Sequence, residues 1–382
     1  MKYRLTCLTP VLVGDGGHLS PIDYMVWKDQ VNVLDQNRIF KLLAKGPRLD
    51  SYLKQIVRAD KLDFASWGGF AQNFADRRVP FEHSSSTGYW EALGSEHLRI
   101  PTFQSSPQGP FVPGSALKGA LRTALLSGLV TDGALRNLAA RLSKDRPPRN
   151  LGELLEDRLL GSGATSRVKP FALGDSAPVN RETMRIFLLR VAYLAPQGPR
   201  LVLRWKRAPR GTAEGRRPHD GTPTFAEMAS PGTVFQGRWR VNPFYRRPEV
   251  VKALRWKSVL TSEELLEAAN RSAERMLASQ KRYAEVAELN LVGQSVLELE
   301  QRLAQARLTK RACLVNLGWG GGFLTKSGGP PASEPSYREI LGQLSYYSKA
   351  IASGLPFPKT RRIVFLGDQP ATLPGWALLE LS

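Results

Sequence analysis

The chain has 382 residues, with 54 Lys+Arg against 34 Asp+Glu for a net charge of +20, and 42% of it is apolar, which is the make-up of a folded basic protein. No run approaches the roughly 18 uninterrupted apolar residues of a membrane span, and the start MKYRLTCLTPVLVGDGG lacks the long apolar core of a signal peptide. Two cysteines (Cys7, Cys313) and four histidines exclude a disulfide framework and a Cys- or His-rich metal site, so the expectation is a cytoplasmic protein with reduced core cysteines and no cofactor.

Along the chain, Tyr3–Leu8 alternates and predicts a strand that ends at Pro10. Gly14, Gly16 and Gly17 predict a flexible loop. Tyr24–Lys28 and Val31–Asp35 flank Asp29-Gln30 as a hairpin, and Asn37 caps a helix to about Ala44. Residues 60–97 give no regular pattern. Leu98–Phe103 predicts a strand. After the turn at Pro113-Gly114, Ser115 caps a helix whose Leu117, Leu121 and Leu125 recur every four residues.

Strands are predicted over Arg167–Leu173, Met184–Leu194, Arg200–Lys206 and Thr233–Val241, with a break at Gly174-Asp175-Ser176. Residues 207–232, rich in Gly, Pro and Arg, read as a mobile basic loop. Thr261 and Glu264 form a capping box that opens an inserted helical part over 261–307, interrupted at Gly293. Ala312–Leu317, a helix over Tyr337–Ala352, and strands over Arg362–Leu366 and Trp376–Leu381 complete the chain. The order suits one elaborated α+β domain, an antiparallel sheet of the ferredoxin-like, RRM-like βαββαβ kind with large insertions.

The charge is concentrated. Residues 181–260 hold 17 Lys+Arg against 5 Asp+Glu, a net of +12 out of the chain's +20. A field of one sign on this scale implies a polyanionic partner, RNA or DNA by default. In Arg238-Trp239-Arg240 the period of two puts both arginines on one sheet face, with Trp239 on the other. Guanidinium groups pair with phosphates and aromatic rings stack on unpaired bases.

Two glycine motifs carry the remaining chemistry. In PGSALKGALR (113–122) a helix start offers unpaired N–H groups, Gly114 permits close backbone approach, and Lys118 and Arg122 share one helix face. Ser115 and Gly119 complete its candidate RNA-binding set. In LGWGGGFLTKS (317–327) Gly318, Gly320, Gly321 and Gly322 permit close approach to a backbone or ligand, Trp319 offers a ring and Lys326 a charge. The spacing is not that of a phosphate-binding P-loop. Gly14 and His18 join the candidate set from the N-terminal region. His18 beside Asp15, and Asp23, are the only hints of acid–base chemistry; Asp23 and Asp175 fit better as turn caps or as partners of arginine.

Together these motifs resemble the RAMP superfamily of CRISPR-associated proteins. PGSALKGALRT matches its PGSSLKGAxRT signature, and residues 317–327 match its C-terminal glycine-rich loop. Leu8-Thr9-Pro10-Val11, Val13-Gly14-Asp15-Gly16, Leu19–Tyr24, Val33-Leu34-Asp35, Gly174-Asp175-Ser176 and Pro374-Gly375-Trp376 are similar to the Csm-type subunit that caps the guide's 3′ end in type III-A effector complexes. The resemblance implies an RRM-like palm, bound guide RNA (crRNA) with target RNA as a further partner, packing on other RAMP subunits, no membrane, and a non-catalytic role in guide retention, maturation and antiviral defence. Backbone subunits of such complexes cut target RNA with a loop aspartate, but Asp23 sits in the Ser-Pro-Ile-Asp-Tyr context of the cap subunit. A RAMP endoribonuclease using His18 and Asp23, and a general basic RNA-binding protein, remain the alternatives.

Overall fold

The computed structural model describes residues 1–44, 48–58, 61–62, 71–142, 151–207, 214–326, 335–354 and 357–382. Strand Lys2–Cys7 turns Tyr3, Leu5 and Cys7 into the core, as its alternation requires. It lies at the centre of a five-stranded antiparallel sheet. Trp376–Leu381 and then Ala312–Asn316 lie on one side of it, Val234–Val241 and then Phe171–Leu173 on the other. Helix Gly114–Leu129 buries Leu117, Leu121, Leu125 and Leu126 beneath this sheet.

The capping box at Thr261 and Glu264 is present, and it opens helix Ser262–Val286. The chain reverses at Ala287–Leu289, where Glu288 takes a positive φ, and helix Asn290–Thr309 follows. Gly293 therefore sits inside the second helix and does not break it. Both helices contribute to the main core. Asn270 caps the buried edge strand of the first sheet: its amide donates to the Ala312 carbonyl at 3.0 Å and accepts from the Leu314 N–H at 3.1 Å. Cys7 and Cys313 are buried free thiols in this sheet.

A second sheet is built on the long strand Met184–Gln197. Its neighbours are Arg200–Lys206, Thr224–Ala229 and Thr360–Leu366, with Glu214–Gly215 and Gln369–Thr372 at the margins. Here the expected mobile loop over 207–232 needs correction. Residues 208–213 lie outside the described residues. Beyond them Asp220 accepts from the N–H groups of Arg216 and Arg217, and Thr224–Ala229 is an almost wholly buried strand. It is covered on both faces, so it carries no alternation, and its Gly-, Pro- and Arg-rich approach hid it.

Other differences are local. The Gly-rich segment forms a strand, Gly14–Leu19, paired with Ile100–Phe103. The first helix, Gln36–Leu43, is capped by Asp35 and not by Asn37. Residues 60–97, for which no pattern was expected, supply strand Ala75–Pro80 and helix Ser85–Glu91. The predicted helix over 337–352 is two helices, Pro335–Gln343 and Ser345–Ala352.

Candidate nucleic-acid interface

The first glycine motif is positioned by a distant carboxylate. Gly114 starts its helix against the strand end at Leu173: a Cβ on Gly114 would stand 2.1 Å from the Leu173 carbonyl oxygen. Its N–H donates to Asp175 Oδ1 at 2.8 Å, and Val112 N–H donates to Ser176 Oγ at 2.9 Å. The helix end expected to present free N–H groups thus has an intramolecular anion on one of them. The capping position is Pro113, and Ser115 stands exposed in the first turn instead of capping it. Gly119 is exposed as well, with open space around it.

Lys118 and Arg122 do share a face, but both have protein partners. Lys118 Nζ donates to the Phe171 carbonyl at 2.6 Å, and Arg122 pairs with Glu156. Burial and then the charge of Arg122 push the Lys118 ammonium below the usual lysine range.

The second motif is seated at the opposite edge of the same sheet, beyond Asn316. Trp319 N–H donates to the Leu12 carbonyl at 2.8 Å, and Leu317 N–H to that of Gly375 at 2.7 Å. Gly318 has φ +73°, and a Cβ there would stand 2.0 Å from the same Leu12 oxygen. Asn316 Nδ2 donates to the Pro374 carbonyl at 3.1 Å, which ties the loop to the Pro-Gly-Trp turn. The Arg362 guanidinium lies 4.7 Å from the centre of the Trp319 ring. Trp319 is therefore engaged by a cation from the second sheet. Gly320 and Gly321 pack against Pro374 and Asn316, Gly322 faces open space, and Lys326 is exposed at the end of the described loop. Gly14 follows directly on Leu12 and Val13, so it borders this loop, whereas His18 is exposed farther along the same strand, opposite Pro101.

Between these motifs the first sheet exposes a basic face. Arg238 and Arg240 point outward while Trp239 is fully buried, its Nε1 donating to Ser262 Oγ at 3.1 Å. Lys2 lies directly opposite Arg238 in the neighbouring strand, and Arg4 stands next on the same face. Like charges facing each other across a pair of strands are unfavourable. Glu380, opposite Arg4 in the other neighbouring strand, reaches it at 3.6 Å in an exposed pair of little energetic weight.

Asp23 is committed locally: Ser20 donates to its Oδ2 from both N–H (2.7 Å) and Oγ (2.6 Å). Among the described residues no cluster of His, Cys, Asp or Glu is arranged to hold a metal ion, and no helix is long and apolar enough to cross a membrane.

A family model for the RAMP superfamily matches residues 4–325. The chain belongs to the RAMP superfamily. It is 26% identical over 258 residues to CRISPR system Cms protein Csm5 of Mycobacterium tuberculosis, in strains CDC 1551 / Oshkosh and ATCC 25618 / H37Rv. The match takes in 62% of this chain and spans 65% of the length of those relatives. Its fold is similar to a chain in the cryo-EM structure of a Csm–crRNA–target RNA ternary complex of a type III-A CRISPR–Cas system (TM-score 0.66, 19% identity, all of both chains). It is also similar to the crystal structure of T. onnurineus Csm5 (TM-score 0.62, 18% identity, 99% of this chain and all of that one).

For this RAMP chain, sequence reasoning found both motifs but not what holds them. Asp175 lies 61 residues from the helix it caps. Arg362 and Asn316 carried no motif signal of their own. The cap gives a direct expectation. Asp175→Ala should lower stability by about 1 kcal/mol, and Asp175→Asn, which keeps an acceptor but not the charge, by only a few tenths. Urea midpoints of the two variants check this. Equal losses would mean that the charge carries the whole cap and a neutral acceptor contributes nothing.

Proposed function

We propose that this chain is a non-catalytic, RNA-binding subunit of a type III-A CRISPR (Csm) complex in the cytoplasm. In this reading it holds the 3′ region of the guide RNA, packs on a backbone RAMP subunit and supports guide maturation and antiviral defence. The observation that carries the RNA-binding role is the exposed row of Lys2, Arg4, Arg238 and Arg240 on the first sheet, where Lys2 faces Arg238 directly. A phosphate chain would convert that repulsion into attraction. The likeness to Csm5 relatives and to a chain of a Csm complex supports the assembly.

The strand order Phe171–Leu173, Val234–Val241, Lys2–Cys7, Trp376–Leu381 supports a βαββαβ palm, with Ala312–Asn316 added at the edge. In support of the non-catalytic reading, the Asp23 carboxylate is held by two hydrogen bonds from Ser20.

Two measurements test this. The tagged chain, pulled from its own cells in moderate salt, should bring down short RNAs with a common repeat-derived 5′ end and other RAMP subunits. Heterogeneous RNA and no stable partner would overturn the assignment. In vitro, Arg238→Gln/Arg240→Gln should weaken binding of single-stranded RNA and lower the log–log salt slope by about 1.4, at ~0.7 per phosphate contact. An unchanged slope would remove the sheet face from the interface.

A further inference from the structure

A cavity of about 210 Å³ lies between the glycine-rich loop and the second sheet. Arg362 and Lys206 line it from strands on either side of the one that carries Val191, with Gly321 and Pro374 on the loop side and Gln280 from helix Ser262–Val286. Arg361 contributes a third cation. Among the described residues no Asp or Glu lines the cavity, and none of these three cations is paired with a carboxylate. Arg361 is held by the carbonyls of Pro358 and Thr360 and by the Tyr283 ring, at 4.6 Å. Burial lowers its guanidinium to about 10 and also pushes Arg362 down, so both cations gain from an anion brought beside them.

Two buried polar atoms here lack partners: Gln280 Oε1, on a residue only 4% exposed, and Arg361 Nε. An unpaired buried polar group is unfavourable, and a bound hydroxyl and a bound anion would relieve it. Size narrows the ligand. Whole small-molecule sites run to roughly 300–1,000 Å³, so this one fits a phosphate with its sugar and not a dinucleotide or a large cofactor.

We propose that the cavity takes the phosphate and ribose of one nucleotide turned out of a single-stranded RNA that runs along the glycine-rich loop. The phosphate meets Lys206, Arg361 and Arg362, and the Gln280 amide pairs with the ribose 2′-hydroxyl. A hydroxyl both donates and accepts, so it suits either amide atom. Gln280 then becomes a residue that distinguishes RNA from DNA. The inference rests on the RNA-binding reading above.

The test measures anisotropy of a labelled single-stranded RNA and of the same sequence as DNA, on the full chain and its variants. Lys206→Gln/Arg362→Gln and the cavity-filling Val191→Phe should each weaken RNA binding about 10-fold. Gln280→Leu should narrow the RNA-over-DNA ratio about 5-fold and leave DNA binding unchanged. Thermal melts verify the fold, and if Val191→Phe melts early the two polar variants decide.

If the wild type binds RNA and Arg238→Gln/Arg240→Gln weakens it, while every cavity variant keeps the wild-type affinity and ratio, this proposal falls and the RNA-binding reading stands. If the wild type binds no RNA, both fall. Free 5′-AMP is the second arm. It should displace RNA only at millimolar concentration. Saturation at micromolar concentration without effect on RNA would make the cavity a free-nucleotide site and overturn the strand assignment.

Discussion

Gly318→Ala is expected to destabilise the protein by about 3 kcal/mol or more, and Gly322→Ala by about 1 kcal/mol, although the two glycines sit four residues apart with nearly the same φ (+73° and +69°). Left-handed backbone costs an alanine roughly 1–2 kcal/mol at either position. Only Gly318 adds a collision, because its Cβ would stand 2.0 Å from the Leu12 oxygen, while nothing lies within 4 Å of a Cβ on Gly322. The obstacle is backbone, and the same oxygen accepts the Trp319 N–H at 2.8 Å, so it cannot withdraw without breaking that bond. Leu12 is itself fully buried, which leaves its carbonyl little freedom to shift. Urea unfolding of the two variants separates the terms. Equal costs would mean that the loop is not seated on Leu12, and the docking of the second motif would have to be abandoned.

That contrast shows what the sequence could and could not supply. Four glycines around a tryptophan announce close approach, and close approach is what Gly318 and Gly320 make. Which of them meets backbone and which meets open space depends on Leu12, about 300 positions away in the chain. The legible elements were those whose signal is local. Tyr3, Leu5 and Cys7 alternate, Thr261 and Glu264 cap each other three residues apart, and Trp376–Leu381 was placed to the residue. The illegible ones were decided by tertiary neighbours. Gly14–Leu19 is a strand because Ile100–Phe103 pairs with it, despite a composition that favours a loop. The basic helix face at Lys118 and Arg122 was legible as a face. Its use was not, because the Phe171 carbonyl and Glu156 come from other elements. Arg238 and Arg240 stayed exposed, as their spacing required, because the buried Trp239 between them fixes the parity of the strand.

Thr224–Ala229 carries the second large effect, through Glu227. This carboxylate is 3% exposed in the interior of the second sheet, and Arg77 meets it with two N–H groups, Nη2 to Oε2 at 2.8 Å and Nη1 to Oε1. Arg77 belongs to strand Ala75–Pro80, which pairs with the hairpin Tyr24–Trp27 and Gln30–Leu34. The ion pair therefore fastens that three-stranded unit to the second sheet, beside the bridge between Phe81 and Ile186. Arg77→Met should cost about 3–5 kcal/mol, because it leaves the carboxylate buried without a counter-charge. Arg77→Met/Glu227→Met should recover most of that loss, since two apolar chains of similar length need no desolvation repaid. With Glu227→Met as the second single variant, the double-mutant cycle from urea midpoints reads the coupling directly. If the single variant loses less than about 1 kcal/mol, water reaches Glu227 and the strand is not the buried element described above. If the double variant is as unstable as the single one, the loss comes from Arg77 packing and the charge is incidental. The expected order, single variant well below double variant, follows only if a strand in the most basic stretch of the chain buries a negative charge for the N-terminal unit to find.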